Sequence, residues 1–116
     1  MALSLSGAML MATAGAAAPA LAGTTPPSSL NIGIVFFAYH PNDATVAPGA
    51  TITVKNFDWK LIHEPHSLTA FNGAFDTGVM ATGPKSITAP EAPGDYRYYC
   101  TVHGPSMFGV IRVVDD

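Results

Sequence analysis

Short runs of alternating apolar and polar residues dominate the chain, and turn residues separate them. Alternation with a period of two places successive side chains on opposite faces of a strand. Six strands are predicted on this basis, at residues 31–38, 51–56, 66–70, 85–88, 95–99 and 108–114. Apart from the N-terminal segment, no stretch has a 3.6-residue apolar period, and ten Pro and eleven Gly disfavour long helices. The pattern therefore predicts an all-β domain, a sandwich or a barrel.

The N-terminal segment differs from the rest. Residues 1–22 are uncharged, rich in Ala, Met and Leu, and end in Ala20-Leu21-Ala22, which resembles a signal-peptidase site. A signal peptide, and with it a periplasmic or extracellular protein, is the favoured interpretation. Because this segment lacks the usual Lys or Arg, a disordered N-terminus and an uncleaved membrane anchor stay open. Residues 23–30, rich in Pro, Ser and Thr, are predicted to be a flexible linker, so that the domain proper comprises 31–116.

Charge is sparse and evenly spread. The 116 residues suit one domain, 11% of them are charged, and the net charge is −3. No basic stripe is present that could bind nucleic acid, and neither an acidic tail nor a polybasic arm occurs. We expect a monomer with no stable membrane insertion.

The most informative segment is CTVHGPSM at residues 100–107, which carries the only cysteine. It places a thiolate, an imidazole and a thioether, from Cys100, His103 and Met107, in one loop between two predicted strands. Cysteine and methionine are soft ligands that suit copper, and two histidines, one cysteine and a weak axial methionine form an electron-transfer copper site. A Cys–His hydrolase is disfavoured, because Met107 has no role there and no oxyanion-hole loop is evident.

One more histidine is needed, and the chain offers three. His66 follows Pro65 and opens an alternating run, so it is the preferred fourth ligand. His63 lies only three residues earlier and stays an alternative. His40 precedes a proline and is expected in a turn.

These motifs resemble those of cupredoxins, the small blue copper proteins such as plastocyanin, amicyanin and pseudoazurin. The resemblance covers residues 31–114 and is carried by VAPGATITVKN at 46–56, PHS at 65–67, FDTG at 75–78 and GDYRYYCTVH at 94–103. It implies a Greek-key β-sandwich and one type 1 copper per chain. His66, Cys100 and His103 would be the strong ligands, with Met107 as the long axial ligand.

The resemblance also implies roles around the ligands, and the chain departs from the family in places. The backbone N–H of Ser67 would donate to the Cys100 sulfur, and the side chains of Ser67 and Thr101 would tie two loops together. Many members have Asn where Ser67 stands, so we expect a looser tie. The segment 57–65 is longer than in plastocyanin or amicyanin, and the gap from His103 to Met107 lies between those two patterns.

The function implied is an exported electron carrier that cycles between Cu(II) and Cu(I), not an enzyme. A redox partner protein, such as a cytochrome, oxidase, reductase or dehydrogenase, would dock near His103 on an apolar face around Gly104, Pro105 and Phe108. A periplasmic copper carrier or chaperone is the alternative. Chain length disfavours a fragment of a multicopper oxidase, which needs further domains.

Overall fold

Two four-stranded sheets pack face to face in the computed structural model, which describes residues 25–115. In sheet order, the first contains β2, β1, β4 and β6, and the second contains β3, β8, β7 and β5. The elements are β1 (Ser29–Val35), β2 (Ala38–His40), β3 (Asp43–Val46), β4 (Thr51–Asn56), α1 (Asp58–Ile62), β5 (Thr69–Ala70), β6 (Lys85–Thr88), β7 (Gly94–Cys100) and β8 (Gly104–Val113). The predicted all-β sandwich is thereby confirmed.

The core lies between the two sheets, where the alternating positions of each strand meet. On β4 the inward positions are Ile52, Val54 and Asn56, all fully buried. On β8 they include Met107, Ile111 and Val113. Both sheets are mixed, because β1 runs parallel to β4 and β3 runs parallel to β8. Sandwich cores of this kind bury one face of each sheet and leave the other to solvent.

The predicted strands agree with the structure to different degrees. β4 and β6 have the predicted bounds, and β7 and β8 extend the predicted 95–99 and 108–114 towards each other. The segment 66–70 is a strand only over its last two residues, because His66 makes an isolated bridge instead. β2, β3 and α1, which have three, four and five residues, were not predicted.

Near the N-terminus the sheet begins earlier than predicted. β1 starts at Ser29, so the last two residues of the predicted linker 23–30 belong to a strand. Pairing with β4 explains this, because the register joins Ser29 to Thr51 and Leu30 to Ile52. The predicted signal peptide at 1–22 lies outside the described residues. Within 25–115, no helix has the length and apolar character needed to cross a membrane.

A prediction follows from the packing of Gly109 on β8 against Tyr98 on β7. The two residues are cross-strand partners, and a Cβ at position 109 would collide with the Tyr98 ring and with the Asn42 carbonyl. Because Tyr98 is fully buried, Gly109→Ala should lower the free energy of unfolding by about 1–3 kcal/mol, measured by urea denaturation.

Gly33→Ala is the matched control on the other sheet. A Cβ there would meet the edge of the Phe57 ring at 3.1 Å, and that ring is partly exposed and free to move aside. We expect a smaller loss than for Gly109→Ala. Equal free energies of unfolding for the two variants would show that the close contact between Gly109 and Tyr98 does not restrict packing in the second sheet.

Candidate metal centre

Three side chains converge at one end of the sandwich. The Nδ1 atoms of His66 and His103 lie 3.1 Å apart, and the Cys100 sulfur lies 3.7 Å from the first and 3.5 Å from the second. Within the described residues this is the one group of three His, Cys, Asp or Glu side chains placed to hold a metal ion. The chain thus brings together donors that stand up to 37 positions apart in sequence.

Each donor is positioned by a different part of the backbone. Cys100 is the last residue of β7 and is fully buried. His103 lies in the turn that leads into β8. His66 is also fully buried, and its N–H and C=O both pair with the backbone of Met80. The three donors therefore lie at the end of β7, in the turn between β7 and β8, and in the segment that bridges to Met80. This arrangement allows little change in the distances between them.

The far nitrogen of each imidazole meets a carboxylate. His66 Nε2 lies 2.8 Å from Asp58 Oδ2, and His103 Nε2 lies 3.0 Å from Glu64 Oε1. An ionised carboxylate only accepts hydrogen bonds, so each Nε2 carries the proton and donates it. In the neutral imidazoles both Nδ1 atoms then present lone pairs to each other and to the Cys100 sulfur. Such convergence of acceptors suits a cation at their centre.

The Asp58 carboxyl is ionised despite its burial. Burial raises its pKa, but hydrogen bonds from the N–H groups of Phe37 and Phe36 and from His66 outweigh this and hold the pKa below its usual range. The side chain is completely shielded from solvent. A fixed negative charge therefore lies directly behind His66.

The spacing of the donors fits a small metal ion. Bonds of about 2.0–2.3 Å from nitrogen and sulfur, as in zinc sites, would place three donors in a trigonal plane roughly 3.5–3.8 Å apart. The two distances from the Cys100 sulfur, 3.5 and 3.7 Å, match this, and the distance between the two Nδ1 atoms is slightly shorter. The side chains need only a small adjustment to surround an ion.

The expected bonds around the sulfur are present. The Ser67 N–H donates to the Cys100 sulfur at 3.4 Å. The Ser67 hydroxyl accepts from the Thr101 N–H at 2.9 Å and lies 3.0 Å from the Thr101 hydroxyl. The short side chain of Ser67 therefore reaches both the backbone and the hydroxyl of Thr101. Tyr39 adds to this frame by donating its hydroxyl to the Ser67 carbonyl at 2.5 Å.

Asp58 also holds an unusual turn against the site. Phe36 and Phe37 form the two-residue loop between β1 and β2, and both have positive φ, 49° and 61°. Such hairpin loops favour Asn or Gly, because bulky residues with positive φ are strained. The N–H groups of Phe36 and Phe37 donate to Asp58 Oδ1 and Oδ2 at 2.7 and 2.9 Å. Hydrogen bonds to an ionised acceptor are strong enough to hold the turn in place.

This turn places an aromatic ring on the two histidines of the cluster. The Phe37 ring meets His66 and His103 edge to face, with centroids 5.4 and 4.9 Å apart. Phe36, at the tip, is 67% exposed. Sequence reasoning missed Phe37, Asp58 and Glu64. A usable clue was the pair of consecutive phenylalanines between two strands, with an unexplained lengthened segment further along.

The remaining candidates lie in four different places. Met107 is buried on the inner face of β8, the face that also carries Ile111. His63 lies outside the cluster: it ends α1 in a left-handed conformation and its ring lies 4.0 Å from that of Trp59. His40 ends β2 and is exposed.

Phe108 points to the outer face, under the Arg97 guanidinium, so it does not share the inner face with Met107.

No protein-family model and no curated protein sequence matches this chain. Its fold does match solved structures. A copper-containing nitrite reductase from Thermus scotoductus SA-01 is 24% identical over 76% of this chain and 23% of the reductase, with a TM-score of 0.63. An auracyanin from Roseiflexus castenholzii is 21% identical over 77% of this chain and 98% of its own, with a TM-score of 0.62.

A purple cupredoxin from Nitrosopumilus maritimus is 24% identical over 73% of this chain and 99% of its own, with a TM-score of 0.58. The first match covers under a quarter of the reductase, whereas the other two cover nearly whole proteins. Likeness at this level of identity establishes architecture. Residues 25–115 of this chain have the cupredoxin fold, with a His–Cys–His donor set at one end of the sandwich.

Proposed function

We propose that this protein binds one type 1 copper and carries single electrons between redox partners. His66, Cys100 and His103 would be the strong ligands and Met107 the axial one. The observation that carries the proposal is the convergence of two Nδ1 lone pairs and one sulfur within 3.7 Å, with both imidazole protons held on the far side by carboxylates. This arrangement is favourable when a cation is shared among the three.

The donor types favour copper. Thiolate and thioether are soft ligands, and two imidazoles with one thiolate in a trigonal set are characteristic of electron-transfer copper. Copper supplies one-electron chemistry between its two oxidation states. The residues of this chain hold the donors in nearly constant positions, because His66 and Cys100 are buried and bonded to the frame. Little reorganisation then accompanies electron transfer.

The register between β7 and β8 supports Met107 as the axial ligand. Regular pairing runs from Gly94 with Val113 to Tyr99 with Phe108. The same register would pair Cys100 with Met107, but Gly104 takes that position after a register shift. Met107 therefore directly precedes Phe108, the residue at which the regular pairing of β8 with β7 begins, and its side chain is buried on the inner face. A thioether beside the Cys100 sulfur is the expected result.

Electron transfer is preferred to the two other roles considered. Three strong donors and an axial thioether leave no coordination position for a substrate, which disfavours catalysis at this centre. Full burial of Cys100 and His66 favours retention of the metal over the ready exchange that a chaperone needs. The residues at 1–22 support an exported protein, periplasmic or extracellular, because they resemble a signal peptide.

The partner is proposed to dock over His103, which is one-quarter exposed. The apolar surface around it differs from the sequence-based expectation, because Phe108 points to the outer face of the second sheet. Phe37, whose ring packs on His103, and the adjacent Phe36 take its place, together with the exposed Pro105 two residues after His103. We define the docking end as Phe36, Phe37, His103 and Pro105. Apart from the Glu64 carboxylate, which lies 3.0 Å from His103 Nε2, the side chains around the His103 ring at this end are apolar. A redox protein with a largely apolar face is therefore the expected partner.

The ligand assignment is tested by two substitutions. Cu(II) added to the metal-free protein should produce an intense visible band from charge transfer between thiolate and copper. Cys100→Ser should abolish this band entirely. Met107→Leu should keep the colour and raise the reduction potential, because a soft axial donor is lost. Absorption spectroscopy and voltammetry measure both effects.

Met80→Leu is the control for Met107→Leu. Met80 is equally buried and contributes its backbone, not its sulfur, to the bridge with His66. Its replacement should leave the potential unchanged. A persistent band in Cys100→Ser would refute the copper site as proposed.

The choice between the two neighbouring histidines is tested separately. His66→Ala should open a coordination position and change the EPR spectrum of the copper protein strongly. His63→Ala removes a ring that stacks on Trp59, so the spectrum should be nearly unchanged. The reverse result would mean that the segment 57–65 rearranges when metal binds.

The docking end is tested through electron self-exchange, measured by NMR line broadening. Pro105→Lys and Phe36→Lys introduce charge beside His103 and should slow the exchange. Val114→Lys is the control, because Val114 is also exposed but follows the far end of β8.

The self-exchange rate of the wild type should change less than about tenfold between low and physiological salt, because exposed charges are few. Slowing by Phe71→Lys instead, beside Tyr99, would move the docking surface to the outer face of the second sheet.

A further inference from the structure

Both carboxylates that meet the ligand histidines come from one short segment. Asp58 begins α1 and Glu64 follows its end, so both lie within residues 57–65. The five-residue helix that starts at Asp58 turns the chain so that Asp58 reaches His66 and Glu64 reaches His103. This segment thus supplies one anion to each imidazole.

The segment is held so that it can do this. Asn56 is fully buried, and its side-chain oxygen accepts from the Asp58 N–H at 3.0 Å. Its amide nitrogen donates to the carbonyls of Glu64 at 2.9 Å and Met80 at 3.3 Å. One side chain thereby fixes the start of the segment, its end and the bridge that carries His66. The positions of the two carboxylates follow from this cross-link.

The two anions differ in their access to solvent. Asp58 is fully buried, whereas the Glu64 side chain is 35% exposed. Water and salt screen the charge of an exposed group much more strongly than that of a buried one. A carboxylate that is hydrogen-bonded to a ligand imidazole makes the imidazole more basic and fixes the orientation of its ring. The negative charge and the higher basicity both stabilise the more highly charged state of a bound metal.

We propose that Asp58 and Glu64 are positioning residues that orient His66 and His103 and lower the reduction potential of the copper centre, Asp58 more than Glu64. The inference rests on the proposed copper function. The negative charges favour Cu(II) over Cu(I), and no proton transfer is needed when the centre gains or loses one electron. Asp58 contributes twice, because its carboxylate also anchors the Phe36–Phe37 turn that packs on both imidazoles.

The test is the reduction potential of the copper-loaded variants Asp58→Asn and Glu64→Gln. Each removes a charge and keeps the shape of the side chain. Asp58→Asn should change the ratio of Cu(II) to Cu(I) affinity at least tenfold in favour of Cu(I), which is a rise of about 59 mV for a one-electron couple. Glu64→Gln should shift the potential in the same direction by less.

Glu91→Gln is the matched control. Glu91 is an exposed carboxylate in the loop before β7, beside Gly49, and its removal changes the net charge equally. Its variant should have the wild-type potential. A second measurement is the Nε2–H resonance of His66 in the diamagnetic Cu(I) protein: it should lie far downfield in the wild type and move upfield in Asp58→Asn.

The outcomes separate this inference from the proposed function. A wild-type protein that gives no charge-transfer band on adding Cu(II) would refute the function. A wild-type protein that binds copper, with Asp58→Asn and Glu64→Gln potentials equal to that of Glu91→Gln, would overturn the inference alone. If Asp58→Asn does not fold, Glu64→Gln decides: a potential equal to the control overturns the inference, and a rise supports it.

Discussion

The buried carboxylate of Asp58 is the interaction on which the site depends. It accepts hydrogen bonds from His66 and from the N–H groups of Phe36 and Phe37. A buried anion without partners would be costly, so these three donors are what allow it to stay ionised. The Asp58 carboxylate also determines which nitrogen of His66 faces Cys100, and it holds Phe36 and Phe37 in a strained turn. Removal of this charge would disturb the ligand and its aromatic cover together.

Around that charge, the sandwich acts as a rigid frame. Cys100 ends β7, His103 lies in the turn into β8, and His66 is bridged to Met80, so three backbone segments meet at one end. Ser67, next to His66, joins its segment to the end of β7, because its N–H donates to the Cys100 sulfur and its hydroxyl accepts from the Thr101 N–H. Because each donor is held by a different segment, a movement of any one donor is resisted by the other two. A centre that exchanges electrons with little rearrangement needs this kind of support.

The strand pattern was predictable where alternation was long enough to read. β4 has the predicted bounds, because its side chains alternate cleanly between core and solvent. β6 also has the predicted bounds, although none of its four side chains is buried. β2 and β3, of three and four residues, were not predicted. The start of β1 was misplaced, since pairing with β4 draws Ser29 and Leu30 into the sheet even though they follow a proline-rich stretch. Pairing with a neighbouring strand decides such ends, and local composition does not.

The three side chains of the cluster could be identified from the sequence, since Cys100 and His103 lie in one short loop, His66 follows Pro65, and a thiolate with imidazoles suits soft metals. The partners of those donors could not. Glu64 meets His103 across 39 positions, and the N–H of Phe36 meets Asp58 across 22. Such contacts depend on how the segment 57–65 folds over the end of the sandwich, which no local pattern encodes. The sequence by itself therefore determined which atoms can bind a metal, and the tertiary structure decided which charges surround them.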